Sequence, residues 1–276
     1  MRIQSVPPIE VHDATGEPDN AASLYGIVNG KQAKSVTVLG RRTVFNSAAV
    51  FQDVATYLVG GQNALNAVLA TTTYFVVSDS ATDVAGSAGV SKVRIVALDG
   101  GGAPVTITAT LNGTTKVSIG SGFSAFQWME SAEMGTAAAI AAVGNIAIFS
   151  GAGAAAAEST TVEQILAGGN KSLSGRYTIP TAFSGYLHQM NCGSPGSQSM
   201  DIRLRATVFA DDRTLSPNVF HYQAIAFLAA TSAPYAQVLP MLACPAGTQI
   251  KFSVIPAATT GTPRCDVGLV LVLIAD

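Results

Sequence analysis

Two turn signals make residues 73–119 the most constraining part of this sequence. Asp-Gly at positions 99–100 and Asn-Gly at positions 112–113 separate segments in which apolar and polar residues alternate. Both central residues of the favoured two-residue hairpin turn need a positive φ, which Asn, Asp and Gly tolerate best. The segment therefore predicts a β-meander, and it contains no pattern typical of an active site.

The rest of the chain repeats this pattern of short strands and turns. In residues 199–209, Met200, Ile202 and Leu204 alternate with polar residues, which predicts a strand with one buried face. Residues 267–274 are nearly all apolar, as expected of a strand buried on both faces. Turn signals recur at the spacing typical of sandwiches and jelly rolls.

We predict an all-β fold with two β-sandwich or jelly-roll-like domains and an extended N-terminal arm. Residues 1–72 would form the arm with short strands, residues 73–160 the first β-sandwich domain, and residues 161–276 the second, jelly-roll-like domain. The boundary falls where residues 160–167 can form one helical turn or a linker strand before two glycines. An alternative makes residues 1–72 an integral part of the first β domain, and residues 51–58 could form a helical turn there.

The small number of charged residues predicts a subunit of an assembly. Charged residues are 12% of the chain, about half of the roughly 25% usual in soluble domains. A monomer needs charged surface to stay apart from its copies, so we expect part of this surface to be covered by other subunits. The alternative is a lone protein with an exterior rich in Ser, Thr, Gln and Asn.

The composition also argues against two classes of partner. The net charge is −2 and the basic residues are scattered, so the chain has no basic cluster suited to nucleic acid. Residues 135–157 are uncharged but consist mainly of Ala and Gly, so we predict a loop with one strand at 146–149 and no membrane span. The N-terminus lacks the apolar region of a signal peptide.

No catalytic or metal-binding pattern is present in the sequence. His12, His188 and His221 are far apart, although the second and third fall on predicted strands and could meet in space. The three cysteines lack metal-ligand spacing and are predicted to be buried small hydrophobes. We therefore predict no catalytic residue, no cofactor-binding residue, no metal site and no cofactor, and a protein that is not an enzyme.

Two acidic pairs remain open to more than one interpretation. Asp211 and Asp212 precede an arginine in a predicted loop, where they could bind calcium, form an intersubunit salt bridge or lie in a solvated turn. Asp79 and Asp83 flank a polar loop that an Asx-turn would explain.

Three segments resemble a pattern found in structural proteins of tailed bacteriophages, especially marine and cyanobacterial phages. The segments are residues 71–115, residues 168–187, which contain Gly-Gly-Asn-Lys-Ser-Leu-Ser-Gly-Arg-Tyr-Thr-Ile-Pro, and residues 202–206, Ile-Arg-Leu-Arg-Ala. The likeness covers about residues 70–276 and is carried by strand and turn motifs. The chain departs at residues 180–184, Pro-Thr-Ala-Phe-Ser, where such proteins tend to carry Pro-Ala-Gly-Lys-Thr, so a contact made by that lysine would be lost.

The resemblance implies a virion protein, assembled in the host cytoplasm, that binds other virion proteins of the capsid or tail. We expect many copies on the capsid as a cement, decoration or head-fibre subunit, and a homo-oligomer, with a trimer favoured. Two alternatives are a tail component, such as an adaptor, nozzle or fibre-attachment subunit, and a receptor-binding or carbohydrate-binding module.

Overall fold

The computed structural model describes residues 33–55, 72–151, 161–207, 221–228, 235–239 and 243–276, and every regular element among them is a β-strand. The all-β prediction is confirmed for this part of the chain. The strands are β1 (Ala33–Arg42), β2 (Gln52–Asp53), β3 (Tyr74–Ser78), β4 (Val90–Asp99), β5 (Pro104–Thr110), β6 (Val117–Gly120), β7 (Phe123–Met134), β8 (Ile146–Ser150), β9 (Thr161–Ile165), β10 (Arg176–Thr178), β11 (Phe183–Gly193), β12 (Met200–Ala206), β13 (His221–Leu228), β14 (Tyr235–Val238), β15 (Ala243–Cys244), β16 (Gln249–Pro256) and β17 (Cys265–Ala275).

The strands form four sheets in which all neighbouring strands are antiparallel. Sheet 1 has the order β1-β17-β11-β14, with β15 also paired to β11. Sheet 2 has the order β10-β16-β12-β13, with β2 also paired to β16. Sheet 3 has the order β6-β3-β8-β9, and sheet 4 has the order β5-β4-β7.

Two separate apolar clusters divide the four sheets into two modules. Sheets 1 and 2 contribute to one cluster, to which Val38 and Val54 also belong, and sheets 3 and 4 contribute to the other. We call sheets 1 and 2 the split module, because its strands come from residues 33–53 and 176–275. Sheets 3 and 4 form the inserted module, whose strands lie between them at residues 74–165.

The alternation in β12 and the apolar run in β17 lead to the predicted burial. Met200, Ile202 and Leu204 are almost fully buried in the cluster of the split module. β17 lies between β1 and β11, and its residues Leu271 and Val272, which face opposite sides of the sheet, are both 0% exposed. A strand in the middle of a sheet with both faces covered needs apolar residues at every position, as this segment has.

The N-terminal region differs from the predicted arm wherever the structure describes it. All ten residues of β1 pair with β17, from Ala33 opposite Ile274 to Arg42 opposite Cys265. Residues 52–53 form a strand rather than a helical turn and pair with β16. Residues 33–55 are therefore an integral part of the split module and not of the first β domain, because their apolar side chains complete its core. Residues 1–32, and residues 56–58 of the proposed turn, lie outside the described residues.

The predicted meander is only partly correct. β4 and β5 form the expected hairpin, but β6 pairs with β3 in the other sheet of the inserted module instead of with β5. The turn after Asp99 is also wider than two residues, since the Asp99 N–H donates to the Ala103 oxygen and three residues lie between them. The Asp99 side chain accepts hydrogen bonds from the N–H groups of Gly101 and Ala103. The chain crosses between sheets at the Asn112-Gly113 turn because residues 111 and 119 both bury apolar side chains in the shared core.

Residues 161–165 are strand β9, one of the two forms considered for this segment. β9 pairs with β8, and its Val162 and Ile165 are buried in the cluster of the inserted module. Within the described residues, no helix is long and apolar enough to cross a membrane.

Candidate functional site

The two histidines that the sequence placed on predicted strands lie on different sheets. His188 lies on β11 of sheet 1 and His221 on β13 of sheet 2. Asp211, Asp212 and His12 lie outside the described residues. Within the part of the chain that the structure describes, no three His, Cys, Asp or Glu side chains are grouped in a way that could hold a metal ion.

The three cysteines are buried, reduced thiols. Burial raises the pKa of Cys192 and of Cys244 to about 12. Burial also raises the pKa of Cys265 well above its ordinary value, with smaller contributions from Cys192 and Asp266. The thiolate is the reactive form of cysteine, so these side chains act as small hydrophobic residues in the core.

Asp83 is an anchor for two loops of the inserted module. The side chain is 0% exposed and accepts hydrogen bonds from the Ser78 hydroxyl at 2.5 Å and from the N–H groups of Val90, Val143 and Gly144 at 2.9–3.0 Å. Backbone N–H groups are strong partners for a buried carboxylate. The predicted polar loop at residues 79–83 therefore has a structural role, since both carboxylate oxygens of Asp83 already accept hydrogen bonds from the protein.

A buried charge cluster lies on the face of sheet 2 that points away from the apolar core. Asp53 is 1% exposed, and its two oxygen atoms accept hydrogen bonds from Arg205 at 2.8 Å and Lys251 at 2.7 Å. Arg42 donates to the backbone oxygen of Asp53 at 2.6 Å. Burial lowers the pKa of Lys251, an effect that Asp53 opposes; burial also lowers the pKa of Arg42 to about 10. The cluster fixes β2 against sheet 2.

A second set of polar contacts forms the seam between the two modules. Gln127 on β7 donates to the Thr178 oxygen at 2.6 Å and accepts from the Thr178 N–H at 3.0 Å. Trp128 stacks on Tyr177, with ring centroids 6.4 Å apart and an interplanar angle of 20°. The N–H of Met129 donates to the Ser172 hydroxyl at 2.9 Å. The modules are therefore joined by hydrogen bonds and ring packing as well as by the chain.

Glu163 is the buried acidic residue of this seam. Its side chain is 0% exposed and faces Arg176, whose guanidinium donates to it at 3.2 Å. Burial raises the pKa of Glu163, and the attraction of Arg176 opposes this increase. Neither Asp53 nor Glu163 stands out in the sequence, since each occupies an ordinary strand segment and is identified only by its surroundings.

One groove among the described residues lies in the inserted module. It measures about 290 Å³ and is lined by Val77, Ser78, Asp79, Thr114, Asn145, Ala147 and Gln164. The only acidic residue in this lining, Asp79, already accepts hydrogen bonds from the backbone and side-chain nitrogens of Asn145 at 2.7 Å. The groove therefore offers no unengaged carboxylate to a ligand.

One exposed surface combines a free strand edge with few charges. Thr106, Thr108 and Thr110 of β5 are exposed, while Ala109 is buried in the core. β5 is the first strand of sheet 4 and pairs only with β4 among the described strands. On β4, Lys92 and Arg94 lie opposite Thr110 and Thr108 and form exposed ion pairs with Glu133 and Glu130 of β7. We call residues 104–110 of β5 the threonine edge.

Comparison with known proteins identifies no family for this chain. No protein-family model and no curated protein matches it. Among solved structures, that of the infectious bursal disease virus Gx strain has a TM-score of 0.26 and 9% identity, over 89% of this chain and 72% of that chain. The structure of the Gt strain has a TM-score of 0.20 and 11% identity, over 89% and 77%. These TM-scores are too low to carry an argument about fold or function.

Proposed function

We propose that this protein is a non-enzymatic structural protein of a tailed-bacteriophage virion. In this proposal, many copies bind the capsid as cement, decoration or head-fibre subunits, and the chain forms a homo-oligomer, with a trimer favoured. The partners are other virion proteins, and neither nucleic acid nor a membrane is required.

The strand order of the split module is the observation that carries the proposal. Its eight longer strands in chain order are β1, β10, β11, β12, β13, β14, β16 and β17. The first pairs with the eighth, the second with the seventh, the third with the sixth, and the fourth with the fifth. This pairing describes one long antiparallel ribbon of eight strands.

The ribbon is then rolled up so that strands that are not partners within it also pair. The eighth strand pairs with the third and the seventh with the fourth, giving sheet orders 1-8-3-6 and 2-7-4-5. An eight-stranded ribbon rolled into two sheets is a jelly roll, an architecture that occurs in viral capsid proteins and lectins. We infer that the split module is a jelly roll and that the inserted module is a second β-sandwich placed between its first and second strands.

The composition and the described interior support a structural role in preference to a lectin-like or enzymatic one. Charged residues are 12% of the chain, and the buried carboxylates Asp53, Asp83 and Glu163 each contact side chains or backbone groups of the protein itself. Tyr235 is the only aromatic residue among the exposed large hydrophobic side chains in the described regions. A sugar-binding surface usually offers aromatic faces, so the described surface gives this alternative little support.

Copy number in purified particles tests the proposal. We expect the chain in particles of the phage that encodes it, at tens to hundreds of copies measured by densitometry against the major capsid protein. A value of about six to twelve copies would point instead to a tail component, because tail rings have low symmetry numbers. Particles that lack the chain altogether would overturn the virion assignment.

A further inference from the structure

Along the threonine edge, the backbone N–H and C=O groups of successive residues point alternately toward β4 and toward the open edge. At the two ends of the β4–β5 pair, the Asp99 N–H donates to the Ala103 oxygen at 2.9 Å and the Leu111 N–H donates to the Ser91 oxygen at 2.8 Å. Hydrogen-bonded and non-hydrogen-bonded residues alternate along an antiparallel pair. The odd-numbered residues 103–111 therefore bond to β4, and the N–H and C=O groups of Thr106, Thr108 and Thr110 point toward the open edge.

Among the described residues, and apart from Pro104 at one end, this edge lacks the features that usually prevent strand pairing between proteins. Natural edge strands are protected by charged side chains, proline, bulges or a covering segment. Residues 105–110 contain no charge and no proline, and the β4–β5 register runs from Pro104 to Thr110 without a bulge. By contrast, the outer edge of β7 is occupied, since the Ser131 N–H donates to the Asn170 oxygen at 2.9 Å.

We propose that the threonine edge pairs with the same edge of a second copy of this chain. The two β5 strands run antiparallel across a two-fold axis, with Thr108 opposite Thr108 and Thr106 opposite Thr110. Each copy then donates from three N–H groups and accepts at three C=O groups, about six intermolecular hydrogen bonds in the hydrogen-bonded positions of the ladder. Sheet 4 becomes a continuous six-stranded sheet across the two copies.

The side chains of the edge favour a second copy over an unrelated strand. In this register the exposed face places Thr opposite Thr, a favourable cross-strand pair, and the core face places Ile107 opposite Ala109. No charged residue lies on the edge itself. Lys92 and Arg94 lie on the neighbouring strand β4 and form ion pairs with Glu133 and Glu130. The two copies therefore meet without contact between like charges.

The contact fits a protein that works in many copies. A single pair of edge strands buries much less than the roughly 1,200–2,000 Å² of a stable two-protein interface. It therefore becomes strong only when several contacts act together. The inference rests on self-association as in the proposed function, with this two-fold contact additional to the contacts of a trimer, and it does not rest on the location of the chain in a particle.

Cysteine cross-linking in the full-length protein tests the register. Facing residues in a hydrogen-bonded pair have Cα atoms about 5.5 Å apart, within the range of about 4.4–6.8 Å that a disulfide spans. Thr108→Cys under mild oxidation is expected to give a covalent dimer as the main product. Thr106→Cys alone should not, because its two copies are about 13 Å apart along the strands, but a mixture of Thr106→Cys and Thr110→Cys should cross-link.

Ser121→Cys is the matched control, since Ser121 is exposed between β6 and β7 and is not part of the threonine edge, and the native cysteines are buried. The proposal is overturned if Thr108→Cys forms no more dimer than Ser121→Cys, if Thr106→Cys alone cross-links as well as the mixture, or if Thr108→Cys in particles cross-links to a different protein.

Dimers of Thr108→Cys with the chain absent from particles would overturn the virion role alone. Uncross-linked Thr108→Cys with the chain present in particles would overturn the edge contact alone.

Discussion

The two modules both bury apolar cores, but Asp83 of the inserted module and Asp53 of the split module are held in different ways. In the inserted module, Asp83 is held by three backbone N–H groups and a hydroxyl. In the split module, Asp53 is held by the side chains of Arg205 and Lys251. A backbone donor remains in place after most substitutions, whereas a charged side chain left without its partner in the interior is costly. The split module should therefore be the more sensitive to loss of a single charged side chain.

The modules also differ in how far apart their paired strands are in the sequence. Sheet 1 depends on the pairing of residues 33–42 with residues 265–274, whereas the inserted module is built from one continuous segment. Closing a long loop costs entropy before the contact forms. We expect the inserted module to fold first and the long-range strand pairs of the split module to form later.

The largest effect is expected from Asp53→Asn. Loss of the carboxylate leaves Lys251 and Arg205 without their shared counter-charge, and breaking a buried ion pair in this way costs about 3–5 kcal/mol. Urea denaturation followed by circular dichroism measures the change in the free energy of unfolding.

Asp266→Asn is the control for this prediction. Asp266 pairs with Arg41, and both side chains are about one-third exposed, so the expected loss is only about 0–1 kcal/mol. Equal losses in the two variants would show that the buried cluster is no more important than a surface pair.

The independence of the two modules is tested by one core substitution in each. Leu271→Ala in the split module and Ile95→Ala in the inserted module truncate side chains that are 0% exposed, and each should cost about 2–5 kcal/mol. We expect Leu271→Ala to lower the stability of the split module and to leave protection of the inserted module from hydrogen exchange largely unchanged. A single transition that both substitutions shift equally would contradict the division into two modules.

A smaller effect is expected at the seam from Gln127→Ala. The substitution removes both hydrogen bonds to Thr178, at about 0.5–1.5 kcal/mol each. Trp128 is the single tryptophan of the chain, and its stacking on Tyr177 makes its fluorescence a direct reporter of the seam. We expect the emission of Gln127→Ala to shift toward that of exposed tryptophan.

Gln198→Ala is the matched control for the seam, because its hydrogen bond to Thr260 lies in an exposed loop contact. Its stability should change by no more than about 0.5 kcal/mol, with unchanged emission. If Gln127→Ala behaves in the same way, the Gln127 contact does not hold the modules together.

The smallest effect is the pH dependence contributed by Glu163. Burial raises the pKa of Glu163 in the folded protein, so the folded state binds a proton more readily than the unfolded state. The free energy of unfolding should therefore fall as the pH rises through the folded-state pKa of Glu163. Glu163→Gln should remove this part of the slope in a series of denaturation curves at different pH values.

Glu133→Gln tests a pH dependence of stability with the opposite sign, at a surface carboxylate. Its hydrogen bond and ion pair with Lys92 lower the pKa of Glu133, so its contribution is present above the unfolded-state pKa and is lost as the pH falls through the folded-state pKa. A pH profile of Glu163→Gln identical to that of the unmodified chain would contradict a raised pKa at Glu163.

Local patterns in the sequence were sufficient for the strands but not for their partners. The alternation at Met200–Ala206 and the apolar run at residues 267–274 predicted the correct strands and the correct buried faces. The Asn112-Gly113 signal correctly predicted a turn. It did not predict the partner of the strand that follows, since β6 pairs with β3 rather than with β5. A turn motif fixes a few φ and ψ angles, whereas the choice of a partner strand depends on which apolar faces meet in the core.

The candidate sites show the same division. The sequence correctly suggested that the cysteines are buried, since an isolated thiol without metal-ligand spacing is usually a core residue. It gave no sign of Asp53 or Glu163, because their properties come from residues more than ten positions away, such as Lys251 for Asp53 and Arg176 for Glu163. It also gave no sign that Thr108 lies on an open edge.

The sequence by itself determined that this protein is built from β-strands and has few charges, because side-chain alternation, turn residues and composition are local or summed properties. The tertiary structure decided that residues 33–42 pair with β17, that β6 leaves the meander, and that β5 pairs with β4 alone among the described strands. These outcomes depend on long-range strand pairing, in which many registers have similar local energies and only burial of the shared core selects one.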